Sequence, residues 1–120
     1  MTDEQLVTRL QRALDQGGNT HDVADVVDAL RNEKARFWEA PDGFIITELE
    51  EFPKFKMVRY WLAGGVLEDC LSLEPVINRY AVEQGCTVAT VTGRKGWGPI
   101  GARTGWKPFG HVFAKRLVED

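Results

Sequence analysis

The chain has 120 residues, 43% of them hydrophobic and 28% charged, with a net charge of −3; this describes one globular domain and excludes disordered and fibrous classes. The longest uncharged apolar stretch, YWLAGGVL, falls far short of the ~20 residues that cross a bilayer. The start MTDEQLVTRL is acidic and amphipathic where a signal peptide is basic and then apolar, so an intracellular, non-membrane protein is expected. Cys70 and Cys86 lack the spacing of a zinc site or a disulfide scaffold and read as reduced packing residues. Charge is unevenly spread: residues 1–60 carry twelve acids and eight bases, whereas residues 84–118 carry six bases and no acid. An anionic ligand or acidic partner would meet the C-terminal third.

In chain order, Thr2 and Gln5 form a capping box, and Leu6, Leu10, Ala13 and Leu14 recur at helical spacing until GGN stops the segment. Asn19 or Thr20 is the expected cap of a second helix on which Val23, Val26, Val27 and Leu30 form the apolar stripe. Residues 1–34 thus read as two N-terminal helices. Residues 35–63 change texture: ARFWEA, FIITELEEF and FKMVRYWLA, separated by PDG and FPKF, predict a three-stranded antiparallel meander. The third strand is apolar on both faces, the pattern of an interior strand. Gly64 and Gly65 end it. A helical pattern follows, interrupted at Pro75 and closed by Gly85. CTVATVT is then an uncharged strand, residues 92–106 a short irregular helix, and KPFGHVFAKRL a last strand, so that 64–118 reads helix, strand, short helix, strand.

The stretch TGRKGWGPIGARTGW contains GxGxxG at Gly96, Gly98 and Gly101, but a dinucleotide fold needs a further helix, strand and acidic ribose ligand, and nineteen residues remain. GxxxxG from Gly93 is followed by Pro-Ile rather than Lys-Ser/Thr and is no Walker loop. Trp97 and Trp106 read as packing residues. Arg94, Lys95, Arg103, Lys107 and Lys115 form the candidate surface for an anion or a partner, with a solvated face as the alternative.

The succession of elements, and YAVEQGCTVATVTGRKGW with Gly105, Trp106 and the closing FAKRL, resembles the GNAT N-acyltransferase superfamily over about residues 35–118. GCTVATVTGRKGW is similar, more narrowly, to small GNAT-like proteins of bacteriophages. The resemblance implies a single α+β domain in which an antiparallel meander leads through a helix into a parallel central strand pair. It also implies acetyl-CoA in a splayed opening beside the superfamily's fourth strand, its pyrophosphate held by backbone N–H groups at the start of the following helix, here Gly64, Gly65 and Val66. AGGVLEDCLS departs from the family's Gln/Arg-x-x-Gly-x-Gly/Ala: it has no cation, and a carboxylate of Glu68 or Asp69 ~4 Å from a phosphate would cost about 4 kcal/mol. The tyrosine that protonates the leaving thiolate is replaced by Gly101. Glu48 and Glu50, which strand period places on the face of Phe44 and Ile46, are the candidate bases, and they equally fit a solvated strand end. Two functions follow. One is a bacteriophage accessory, assembly or virion-associated protein without standard acetyltransferase activity and with no cofactor, located in the host cytoplasm or virion. Its partners would be phage or host proteins, with nucleic acid at the basic third as the lesser expectation. The other is an N-acyltransferase that uses acetyl-CoA in a remodelled loop.

Overall fold

The computed structural model describes residues 1–92, 104–110 and 112–118. Helix α1 spans Asp3–Gln16 and is capped as expected: the Gln5 N–H donates to Thr2 Oγ1 (3.1 Å) and the Thr2 N–H to Gln5 Oε1 (2.9 Å). Asp3 and Glu4 in its first turn complement the positive helix end. Helix α2 spans Val23–Arg31, and here the cap differs from expectation. Asp22, not Asn19 or Thr20, is the N-cap, in a reciprocal pair with Asp25. Asn19 instead takes a positive φ of 53° in the connecting turn and donates its N–H to Leu14 O, while the Thr20 hydroxyl is taken up by His21 Nδ1. The substitution of aspartate for the usual glutamate at the third helical position hides this box from a pattern search.

The meander is present as β1 (Arg36–Ala40), β2 (Gly43–Glu51) and β3 (Lys56–Gly65), paired antiparallel in sequence order. Helix α3 (Leu67–Glu83) then carries the chain to β4 (Val88–Val91), which pairs parallel with β3, so the sheet order is β1-β2-β3-β4 with β3 interior. This is the α+β architecture expected from the sequence, with the parallel pair in the expected place. Helix α3 is not interrupted at Pro75. Proline removes the bond that the Leu71 carbonyl would accept, but Leu71, Pro75 and Val76 are all exposed, so the loss falls on the solvent side. Gly85, at φ 90°, turns the chain out of α3, and the Thr87 N–H donates to Lys56 O (3.0 Å) to begin the parallel pairing.

Each sheet face has its own core. Leu10, Leu14 and Val26 of α1 and α2 pack with Phe44, Ile46 and Leu62; Cys70, Ile77 and Ala81 of α3 pack with Ile45, Val58 and Tyr60 on the other side. A bulge between the two halves of the β2–β3 ladder switches register from Ile46↔Leu62 to Thr47↔Tyr60, leaving Trp61 as the extra residue. Tyr60 consequently joins the α3 core, while Trp61 and Leu62 both join the α1/α2 core. Of the expected closing strand, the described residues 107–110 and 112–117 form no strand, and Phe109, Val112 and Leu117 are exposed. Among the described residues no helix is long and apolar enough to cross a membrane.

The end of β3 tolerates no side chains. A Cβ on Gly64 would lie 2.7 Å from the fully buried Phe44 ring, and one on Gly65 would lie 2.4 Å from Asp42 O at a φ of 98°. Gly65→Ala should therefore lose about 2 kcal/mol or more, lowering Tm by roughly 8 °C. Gly85→Ala, strained in φ but in open space, should lose only about 1 kcal/mol; thermal denaturation of the two variants checks the difference.

Candidate functional site

Strand β3 is longer than its parallel neighbour. Pairing with β4 ends at Tyr60↔Val91, whereas β3 runs on through Trp61 to Gly65 with no described strand on that side. Among the described residues this leaves a short opening, flanked by the bulge at one end and the start of α3 at the other. Val66 caps α3 without any side-chain hydrogen bond. Its own N–H donates to Asp42 O (2.8 Å), and Cys70 is the first residue to close a helical bond, onto Val66 O (3.1 Å). The N–H groups of Leu67, Glu68 and Asp69 accordingly have no recorded partner among the described residues. Such an end attracts anions through its free donors and the helix dipole. The sequence-predicted Gly64, Gly65 and Val66 stand beside it, and the glycines serve to bring the backbone against Phe44 and Asp42.

The acids behave differently from each other. The Asp69 carboxylate is engaged at the helix start, where Oδ2 accepts the Asp42 N–H at 2.6 Å. Glu68 is exposed and has no hydrogen-bond or ion-pair partner among the described residues. The cation that the local sequence lacks comes from α1: Arg9 Nη1 donates to Asp42 Oδ1 at 2.6 Å and reaches Asp42 O at 3.4 Å. Nothing near residues 64–69 in sequence announces Arg9, which is brought in by the packing of α1 on β3. Its charge is largely answered by Asp42.

Glu48 and Glu50 lie, as strand period requires, on the face of Phe44 and Ile46, beyond the part covered by helices. Neither is a free base. Arg59, directly opposite Glu48 in the ladder, lies 3.2 Å from Glu48 Oε1 and 3.9 Å from Glu50 Oε1. The three side chains are about a third exposed, so these ion pairs are worth under about 1 kcal/mol to the fold. Of the two, only Glu48 accepts a hydrogen bond from Arg59. Trp61 shares this side of the sheet and meets His21 edge-on, ring centroids 4.9 Å apart.

On the α3 side a polar cluster that sequence reading missed surrounds the same strands. The Tyr60 hydroxyl donates to Asn78 Oδ1, the Trp106 Nε1–H donates to Glu74 Oε1 (2.8 Å), and the two rings meet edge-on at 5.5 Å. Glu74, Asn78, Ala89, Thr104, Gly105 and Trp106 line a shallow cavity of about 210 Å³ beside them. Burial, and secondarily the Glu74 carboxylate, pushes the Tyr60 phenol well above its ordinary range. Burial likewise raises the thiols of Cys70 and Cys86, both unpaired, which argues against a thiolate nucleophile. Of the candidate cations, Lys107 and Lys115 are exposed. Arg94, Lys95 and Arg103 lie outside the described residues. No group of histidine, cysteine or carboxylate side chains that would hold a metal occurs among the described residues.

No protein-family model and no curated protein matches the chain. Solved structures do. An acetyltransferase from Trypanosoma brucei superposes with a TM-score of 0.63 at 11% identity, covering 92% of this chain and 94% of its own. The Thermus thermophilus protein TTHA1254 superposes with a TM-score of 0.60 at 16% identity as wild type, and 0.62 at 19% as a single-substitution variant; each pairing covers 100% of this chain and 95% of the other. At such identities the likeness is one of fold, and the fold is GNAT-like.

Tyr60 supplies a pH test. The folded state holds the phenolic proton more tightly than the unfolded chain, whose tyrosines release it near pH ~10. The stabilisation is thus complete below about pH 10 and is lost as pH rises from there toward the folded-state value. Denaturant titrations should show stability falling above pH 10, and Tyr60→Phe should flatten that fall while costing about 1 kcal/mol at neutral pH for the lost bond to Asn78.

Proposed function

We propose that this protein is a bacteriophage-type GNAT-like accessory or assembly protein that acts by binding another protein, without standard acetyltransferase activity. The observation that carries the reading is that both candidate bases flank one guanidinium: Arg59 Nη1 donates to Glu48 Oε1 and lies 3.9 Å from Glu50 Oε1. A general base must turn an oxygen to the incoming amine, and Glu48 and Glu50 are instead oriented on a cation of their own sheet face. The entry to the helix end adds to this, since Glu68 is exposed there and the only nearby described cation, Arg9, is spent on Asp42. The similarity of GCTVATVTGRKGW to small phage proteins supplies the phage assignment. The exposed Lys107 and Lys115 favour an acidic protein surface as partner, in the host cytoplasm or the virion.

One observation favours the second reading, an acyl-CoA-dependent N-acyltransferase. The opening beside β3 stands together with the N–H groups of Leu67–Asp69, which have no partner among the described residues, and the Asp69 carboxylate is engaged by the Asp42 N–H. Calorimetry and thermal shift with acetyl-CoA decide between the two. The binding reading expects no saturable heat and no rise in Tm, whereas a ligand at 100 times its Kd would add about 2.7 kcal/mol to stability. Saturable binding, accompanied by acetyl transfer to an amine and abolished in a Glu48→Gln, Glu50→Gln double variant, would establish the enzyme instead. Glu68→Gln is the informative single change at the helix end, because Asp69 cannot be altered without breaking its bond to the Asp42 N–H.

A further inference from the structure

Helix α3 carries a different polar arrangement on each flank. Toward β1, the Arg36 guanidinium lies over the rings of Trp38 and Tyr80, 4.7 and 4.5 Å from their centroids, so an aromatic pair holds a cation that the chain itself supplies. Toward β4, Tyr60 and Trp106 again meet edge-on, but the charged group beside them is the Glu74 carboxylate, which makes no ion pair among the described residues. Only one of its oxygens is engaged: Oε1 accepts the Trp106 Nε1–H. Asn78, one turn further along α3, accepts the Tyr60 hydroxyl on Oδ1, and its Nδ2 donors have no partner among the described residues. Glu74 and Asn78 are half-buried and line the cavity of about 210 Å³ together with Ala89 and Trp106. Burial keeps the Tyr60 phenol protonated far past neutral pH, and Glu74 is the one charged residue among the described residues of the lining.

We propose that this cavity binds a small amino compound, its ammonium group held by Glu74 Oε2 and a neutral oxygen of the same molecule accepting from Asn78 Nδ2. A half-buried carboxylate with an oxygen to spare attracts a cation, and an amide donor beside it requires an acceptor. Simple anions are repelled by Glu74, and a simple alkylammonium leaves Asn78 unmet. A divalent metal ion takes several oxygen ligands, and one carboxylate is too few. Residues four apart on a helix stand ~6 Å from each other, so two or three carbons separate the ligand's ammonium from its oxygen. Size sets the other limit. The cavity is smaller than the ~300–1,000 Å³ of pockets that enclose drug-sized molecules, so the ligand has few heavy atoms and is no nucleotide-sized cofactor. The site lies across the sheet from Glu48, Glu50 and Arg59, and it stands whether or not the protein works by docking to another protein.

The test uses the full-length chain and three related probes. β-Alaninamide carries both groups, n-propylammonium has the charge without the oxygen, and propionamide has the oxygen without the charge. An NMR titration follows the indole N–H of Trp106, identified as the signal that disappears in Trp106→Phe. β-Alaninamide should shift it saturably with a Kd on the order of 1 mM, and should bind about tenfold or more tightly than either of the other two. Glu74→Gln keeps a side-chain oxygen for the Trp106 indole while removing the charge. It should leave the indole signal in place and weaken β-alaninamide binding by about tenfold or more. The proposal is overturned by the absence of a saturable shift, by propionamide binding as well as β-alaninamide, or by undiminished binding in Glu74→Gln. The ranking of the three probes on the unmodified chain decides the question even where the variant fails to fold.

Discussion

The turn at Asp42 is the constraint on which the two halves of the molecule depend. Its carbonyl accepts the Val66 N–H, its N–H donates to Asp69, and its carboxylate takes Arg9 from α1. One residue thereby fixes the first helix, the β1–β2 turn and the start of α3 relative to one another. Removing its carboxylate alone would leave Arg9 part-buried without its partner, whereas the backbone contacts would persist. The glycines at 64 and 65 follow from this knot: the β3–α3 junction can pass so close to Asp42 only without side chains. Their sequence signature is therefore the same whether or not a phosphate ever binds there.

The second determinant is the bulge at Trp61. Without it, strict alternation would put Leu62 on the α3 side with Tyr60; with it, each joins the core that its neighbours form. The bulge also marks where β3 parts from β4, so packing and opening share one cause. The residues along the paired part of β3 are divided by the sheet into a charged side, Glu48, Glu50 and Arg59, and a hydrogen-bonded side, Tyr60, Glu74, Asn78 and Trp106.

Periodicity made most of the architecture legible. The Thr2–Gln5 box, the meander and the apolar, uncharged β4 are signals carried within a few residues, and the family-like order then implies which strands pair. Legibility fails where partners are distant or where a rule has a local exemption. Asp22 was hidden by an unusual aspartate at the third helical position, and Pro75 by the solvent exposure that makes its missing bond tolerable. At the site, strand period placed Glu48 and Glu50 on the right face, but their capture by Arg59 needed the β2–β3 register. Arg9, more than thirty residues from Asp42, left no local trace, and Tyr60, Glu74 and Asn78 match no motif. The expected closing strand follows the same logic: composition specifies that a segment can pair, and not with what.

Cys70 gives the α3–sheet contact a built-in reporter. Its thiol lies against Phe44 O and Gly64 O, beneath the helix start and within van der Waals reach of any atom added to Gly43. A reagent can reach that sulfur only when the first turn of α3 lifts from β2 and β3, which also breaks the Asp42 contacts to Val66 and Asp69. Cys86, equally buried, sits beyond the other end of the same helix, just before β4. The two sulfurs thus time separate motions, the hinge at the β3–α3 junction and the detachment of the edge strand. Their relative labelling rates, in one untouched chain, distinguish a helix that swings as a rigid lever from one that peels from a single end.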